Sequence, residues 1–252
     1  MIANYGGQTR LSVECQPLPD PDPIQTRPAG EAVLAALEGR RSIRAFLPDP
    51  VPPKVVRRIL TAAARAPSGS NTQPWQVHVV TGASKAALEA ELLAAHQAGG
   101  AGHVAEYAYY PEKWREPYLA RRRKVGWDLY GALGIGRADA ARMAAQMGRN
   151  YVFFGAPVGL VFSIDRDLGR GSWLDYGFFL QGIATAARAY GLDTCAQAAF
   201  IQYHAVLQRR LDIPAEQTVV CGMALGRADP DAPENAFTTE RAPVDAWLRI
   251  HD

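Results

Sequence analysis

Residues 172–190 carry Trp173, Leu174, Tyr176, Phe178, Phe179, Leu180 and Ile183, and Gly191 follows. This spacing predicts a long helix with apolar residues on most of its faces. Such a helix must be buried on most sides, so it belongs at the centre of the fold or at a subunit interface. Ser172, with Asp175 three residues later, has the form of a capping box that opens it, and Gly191 is placed to close it. Just upstream, residues 158–164 (VGLVFSI) form a continuous apolar run, the pattern of a strand buried on both faces.

The other elements alternate helix with strand. A first helix is expected over Pro28–Glu38, with proline in its first turn, Val33, Leu34 and Leu37 on one face, and Gly39 after it. A second starts near Pro52 or Pro53 and ends near Arg65, with Val55, Val56, Ile59, Leu60 and Ala63 forming one stripe; Pro67 stops it. Residues Gln76–Val80 alternate and are rich in β-branched side chains, which predicts a strand. Further helices are expected from Ser84 to His96, Ala138 to Phe154 and Tyr203 to Leu211, and a strand over Thr218–Leu225. About four strands and more helix than strand make an α+β or α/β sandwich. Residues 1–27, rich in Pro, Asp and Gln without periodicity, look like an N-terminal arm.

With 252 residues, 48% hydrophobic and 21% charged, the chain can bury a large core without disulfide staples. The 27 basic and 25 acidic residues leave a net charge of +2, too balanced to imply a nucleic-acid or membrane partner. Cys15, Cys195 and Cys221 are odd in number and widely spaced, which argues for a reducing compartment. The N-terminus lacks a signal-peptide pattern and no apolar run reaches membrane-spanning length, so a soluble, cytoplasmic protein is expected.

Several chemistries lack their motifs. The five histidines show no HxxxH or HExxH spacing and the cysteines no CxxC, so no metal site is expected. Ser68 sits in PSGS, not in a GxSxG elbow. GALGIG at 131–136 follows no strand, which weakens it as a dinucleotide fingerprint, and no GxxxxGK occurs. What remains is a pair of polar clusters around the second helix. Arg40, Arg41, Ser42 and Arg44 could bind a phosphate through charge-assisted hydrogen bonds, or be a solvated basic run. Pro67, Ser68, Gly69, Ser70, Asn71, Thr72 and Gln73 supply hydroxyls, amides and exposed backbone N–H groups in one turn, or form a plain polar loop.

RRSIRAF at 40–46, PV at 50–51 and ILTAAARAPSGSNTQPWQVHVV at 59–80 together resemble the flavin-dependent nitroreductase family. GAPVGLVF at 155–162, the long helix from 173, LDTCAQAAF at 192–200 and the late Arg241 are compatible with it. The resemblance covers residue 28 to the end. It implies a three-layer sandwich with a central, mostly antiparallel sheet flanked by helices, in a domain-swapped homodimer with two FMN at the interface. It further implies ping-pong use of NAD(P)H to reduce nitroaromatics or quinones. Carried over by position, Arg40, Arg41, Ser42 and Arg44 would serve the FMN phosphate, ribityl chain and N1/O2 edge, with Arg44 stabilising negative charge on the reduced ring. Pro67, Ser68, Gly69 and Asn71 would reach the other subunit's flavin. Gln197, Ala198 and Ala199 would lie against the central ring, departing from the more usual Pro- or Thr-containing segment. Arg241 would close on the phosphate. No catalytic triad or metal is required. The same scaffold also supports dehalogenation, flavin fragmentation and azoline oxidation, and a non-catalytic flavin-binding protein is a rival.

Residues 97–136 form an insertion in which Tyr107, Tyr109, Tyr110, Trp114, Tyr118 and Trp127 interleave with Arg115, Arg121, Arg122, Arg123 and Lys124. A helical hairpin with a solvated basic face, a nucleic-acid patch and a lid over the flavin are the competing interpretations. As a lid, Trp114 and Tyr118 would stack on a planar substrate, and Arg121, Arg122 or Arg123 would pair with an acidic group, as on a nitrobenzoate.

Overall fold

Four strands form the middle layer in the order β1-β2-β4-β3, with every neighbouring pair antiparallel: β1 (Gln76–Val80), β2 (Val158–Asp165), β3 (Asp193–Gln197) and β4 (Gln217–Gly226). The computed structural model describes residues 30–251, so the expected arm over residues 1–27 lies outside them. Among those residues seven α-helices accompany the sheet: α1 (Gly30–Gly39), α2 (Pro53–Ala63), α3 (Gly82–Gln97), α4 (Tyr118–Ala132), α5 (Ala140–Gly148), α6 (Arg170–Arg188) and α7 (His204–Leu211).

The three layers follow from which side chains are apolar. β2 and β4 are central and buried along almost their whole length, which is why both are continuous apolar runs. On one face α2 and α6 bury Val56, Ile59, Phe179 and Ile183 against Leu160, Phe162 and Met223. On the other, α3, α7 and 3₁₀ segments at Arg149–Gly155 and Ala198–Tyr203 bury Leu88, Leu92, Phe153, Tyr203 and Leu207 against Val161, Val219 and Ala224. Two sheet glycines make room for rings. A Cβ at Gly159 would come within 2.5 Å of Phe153, and one at Gly222 within 2.6 Å of Phe200.

Two sequence expectations change. Ser172 and Asp175 do not form a capping box. The helix begins earlier, at Arg170, without a side-chain cap, and the Asp175 carboxylate instead accepts the Gly69 N–H at 3.0 Å. The helix expected from Ala138 to Phe154 stops at Gly148. Phe153 and Phe154 then take left-handed backbone angles (φ 47° and 53°) that place their rings in the core. The face Val33, Leu34 and Leu37 of α1 is exposed.

Residues 40–46 join the sheet as an extended segment. The Ile43 N–H donates to the Thr194 carbonyl of β3 (3.1 Å), and Leu47 and Asp229 exchange backbone bonds with Arg227 and Ala45. One buried side chain secures this segment: the Asn235 Oδ1 accepts the Arg44 N–H at 2.8 Å. Its Nδ2 donates to the carbonyls of Ala45 (2.8 Å) and Asp229 (2.9 Å).

The 97–136 insertion is fastened at its root. A β-bulge opposite Phe162/Ser163 leaves Val220 without a partner residue on β2. The Tyr107 hydroxyl donates to the freed Val220 carbonyl at 2.5 Å, and burial pushes the Tyr107 phenol above its ordinary range. Next to it, Glu106 pairs with Arg166 and stands 3.3 Å from His204.

Two substitutions test these ties. Asn235→Ala strands the Arg44 N–H and the Ala45 carbonyl, so denaturant unfolding should show a loss of about 3 kcal/mol. Tyr107→Phe, which removes a single donor, should cost about 1–2 kcal/mol.

Candidate functional site

Over 42–45 the segment alternates, as extended chain does: Ser42 is exposed, Ile43 buried, Arg44 half-buried and Ala45 buried, and Arg40 upstream is half-buried. Arg44, Ser42 and Arg40 all act on the Cys195 thiol of β3. Burial raises its pKa, and these three groups oppose the rise, the Arg44 charge most. The Arg41 guanidinium instead donates to the Asn235 carbonyl at 3.0 Å.

Beyond Arg44, a cavity of about 620 Å³ opens between the end of β3 and α4. Its floor is Cys195–Ala199, and its walls include Phe154, Tyr107, Tyr109, Tyr110 and Tyr130. Arg44 and Arg122 line it and no carboxylate does, so among the described residues it is a cationic, aromatic-walled space. The Gln197 Nε2 donates to the Asn150 carbonyl at 2.7 Å, but its Oε1 is a buried acceptor without a donor. Burial, with a further push from Tyr110, raises the Tyr109 phenol.

A second cavity of about 740 Å³ lies on the other side of α4. Trp114, Tyr118, Arg121 and Arg241 line it, and it shares Tyr110, Arg122 and Val125 with the first. The Arg122 guanidinium sits over the Trp114 ring, 4.9 Å from its centroid. Lys124 bridges Asp128 (2.8 Å) and Glu240 (3.3 Å), tying α4 to the C-terminal segment.

The Pro67–Asn71 loop lines neither space. It is an exposed turn next to α6, in which Ser70, Asn71 and Gln73 take φ of 51°, 58° and 51°. Left-handed backbone at non-glycine residues costs of order 1–3 kcal/mol each and marks an over-determined loop. Here the Gln73 N–H donates to the Ser68 Oγ (3.0 Å), and Asp175 holds Gly69.

The structure thus gathers Arg44, Gln197, Ala198, Ala199 and Arg122 around one cavity, and Trp114, Tyr118, Arg121, Arg122 and Arg241 around its neighbour. Arg40, Arg41, Ser42 and Arg123 line neither. Sequence reasoning missed Asn235, the residue that orients the arginine segment. An isolated asparagine in DAPENAF carries no local signal, because its three partners lie close in space and not in sequence. It also missed Asn150 and Cys195 as cavity residues. No group of three or more metal-ligating side chains occurs among the described residues.

Residues 37–227 match the Nitroreductase family. The chain is 42% identical over 226 residues to the 4-nitrobenzoate reductase of Nocardioides sp. (strain LMS-CY), covering 88% of this chain and 91% of that one. It is 43% identical over 207 residues to the 4-nitrobenzoate reductase of Pseudomonas putida, covering 82% and 90%. It superposes on the FMN and NADPH-dependent nitroreductase NfnB from sphigopyxis sp. strain HMH with a TM-score of 0.84 at 38% identity, over 87% of this chain and 99% of that one. The antiparallel sheet, the flanking helices and the sequence agreement lead to one conclusion: the chain belongs to the nitroreductase family.

Proposed function

We propose that the protein is an FMN-dependent oxidoreductase that uses NAD(P)H to reduce nitroaromatic compounds, and that it works as a homodimer. The observation that carries this reading is the cavity lined by Arg44 and Gln197–Ala199 in a chain 42% identical to a 4-nitrobenzoate reductase. The residues present fit the cofactor. Arg44 lines the space without an opposing carboxylate, which suits an anionic ligand. Gln197 holds a buried acceptor without a donor, and a flavin carries N–H and hydroxyl donors. The small side chains of Ala198 and Ala199 leave a flat floor.

Arg40, Arg41, Ser42, Arg44, Gln197, Ala198 and Ala199 would hold the flavin within one subunit. Bound FMN would supply two-electron redox chemistry between NAD(P)H and the acceptor. Arg44 is the fixed cation: in a partly desolvated cavity it favours negative charge beside it, without reorganisation during turnover. The tyrosine walls exclude water and offer flat faces to an aromatic acceptor. Arg122 stands where it could pair with an acidic substituent, as on 4-nitrobenzoate.

Three features support the homodimer. Leu174 and Phe178 of α6 are 66% and 50% exposed, although large apolar side chains favour burial. The Pro67–Asn71 loop is bonded to α6 next to them through Asp175, so a subunit packed over Leu174 and Phe178 also meets Ser68, Gly69 and Asn71. A cavity of about 780 Å³, lined by Val56, Leu60, Trp75 and Phe179 together with Lys54 and Arg57, opens at β1, an edge strand of the sheet.

Steady-state assays of the FMN-loaded protein test the activity. NAD(P)H should be consumed in proportion to added nitrobenzene or 4-nitrobenzoate; consumption that ignores the nitroarene defeats the proposal. Arg44→Ala should weaken FMN binding roughly tenfold or more. Arg122→Ala should lower the preference for 4-nitrobenzoate over nitrobenzene. If Arg121→Ala, Arg122→Ala and Arg123→Ala all leave that preference unchanged, the acidic-substrate reading fails. In light scattering, Leu174→Glu with Phe178→Glu should give monomers that also bind FMN poorly.

A further inference from the structure

A cation that selects an anionic ligand faces a conflict. A carboxylate partner fixes the side chain but cancels its charge, while a side chain with no partner keeps its rotamer freedom and pays for ordering on binding. On α4, Lys124 takes the first course, with Asp128 and Glu240 both within ion-pair distance. Arg122, two residues earlier, takes neither. Its guanidinium lies over the Trp114 ring, 4.9 Å from the centroid, and no carboxylate lines the first cavity with it. The electron-rich face of an indole attracts a cation and carries no net charge. Trp114 therefore orients the guanidinium without neutralising it, and leaves its in-plane N–H donors free for a planar anion.

Trp114 is itself braced. Tyr110 packs against it with ring centroids 5.3 Å apart, and Tyr109 meets Tyr110 edge-on at 4.8 Å. Arg122 lines both cavities, whereas Trp114 lines the second and not the first. The indole thus backs the guanidinium from the side away from Arg44. One face of Trp114, expected from the sequence to receive a substrate, is occupied by this contact. Arg115 rests on Tyr118 and Arg137 on Trp127 in the same way, but neither of those arginines lines the first or the second cavity. Of the three pairs, only Trp114–Arg122 presents its cation to the space that Arg44 also lines.

From this geometry we infer that Trp114 is a positioning residue for substrate selection. It holds the Arg122 guanidinium, charged and oriented in advance, toward a carboxylate on the nitroarene, and so sets the preference for acidic over uncharged substrates. The inference rests on the proposed reduction of nitroarenes and names the residue that makes Arg122 selective.

The test is a double-mutant cycle on the FMN-loaded protein at neutral pH, read as the ratio of kcat/KM for 4-nitrobenzoate to that for nitrobenzene. Trp114→Met, which keeps apolar volume without an aromatic face, should lower the ratio about two- to fivefold, chiefly through KM for 4-nitrobenzoate. Trp114→Phe, which keeps a ring, should retain most of it. In an Arg122→Gln background, Trp114→Met should leave the ratio where Arg122→Gln alone puts it, because the indole then has no cation to hold. A ratio that Trp114→Met does not change, or one that it lowers equally with and without Arg122, overturns the inference, the second result because Trp114 would then act on the substrate directly. If Arg122→Gln alone leaves the ratio unchanged, the acidic-substrate reading falls and this inference with it. If the wild type reduces neither nitroarene, the oxidoreductase reading itself is at fault.

Discussion

A single buried amide governs how the arginine segment meets the sheet. Residues 40–46 make only isolated bridges, from Ser42 to Thr194 of β3 and from Phe46 to Ala228 beyond the end of β4. They therefore lack the repeated ladder that fixes register elsewhere. Asn235 supplies that definition: its side chain satisfies one backbone donor and two acceptors, and its carbonyl receives Arg41. Each of these groups would be costly to leave unpaired. Because Asn235 holds the backbone N–H of Arg44, the position of the cation in the cavity is set by the residue least visible in the sequence. Its neighbour Glu234, buried and paired with Arg149, ties the same turn to the 3₁₀ segment whose Phe154 walls the cavity.

The insertion is fixed in a comparable way. The β4 bulge breaks the ladder at one residue, and such breaks recur where a sheet must present something other than a regular edge. Here the freed carbonyl anchors Tyr107, and the Glu106 carboxylate reaches the Val219 N–H at 3.4 Å. The aromatic and basic residues that follow are thus held over the end of β3. Tyr107 also packs edge-on to Trp173 of α6, which brings the insertion into contact with the long helix. The two cavities on either side of α4 are a consequence of this placement.

What could be read in advance depended on whether a signal was local. β1 was expected at Gln76–Val80 and is found there, because alternation and β-branching are properties of the segment itself. The β2 and β4 runs were visible as continuous apolar stretches, each extended by a residue or so in the fold. β3, with the sequence DTCAQ, gave no comparable signal; it is a strand because β4 pairs with it. α5 ends at Gly148 and passes into a 3₁₀ segment in which Phe153 and Phe154 turn inward, a packing demand that is not local. At the site, the arginine cluster and the polar turn were legible as unusual compositions. That Arg44 and Arg122 share one cavity, with Arg121 on the far side of a common wall, depends on how α4 is tilted over β3, and no spacing rule encodes that.

The proposed function requires that this scaffold load a flavin against Arg44 and pass reducing equivalents through it. Anaerobic absorption spectroscopy of the purified, FMN-loaded protein tests it most directly. Adding NADPH should bleach the yellow colour within the turnover time, and a nitroarene added afterwards should bring it back. A protein that takes up no FMN, or whose bound flavin keeps its colour in excess NADPH and NADH, would contradict it.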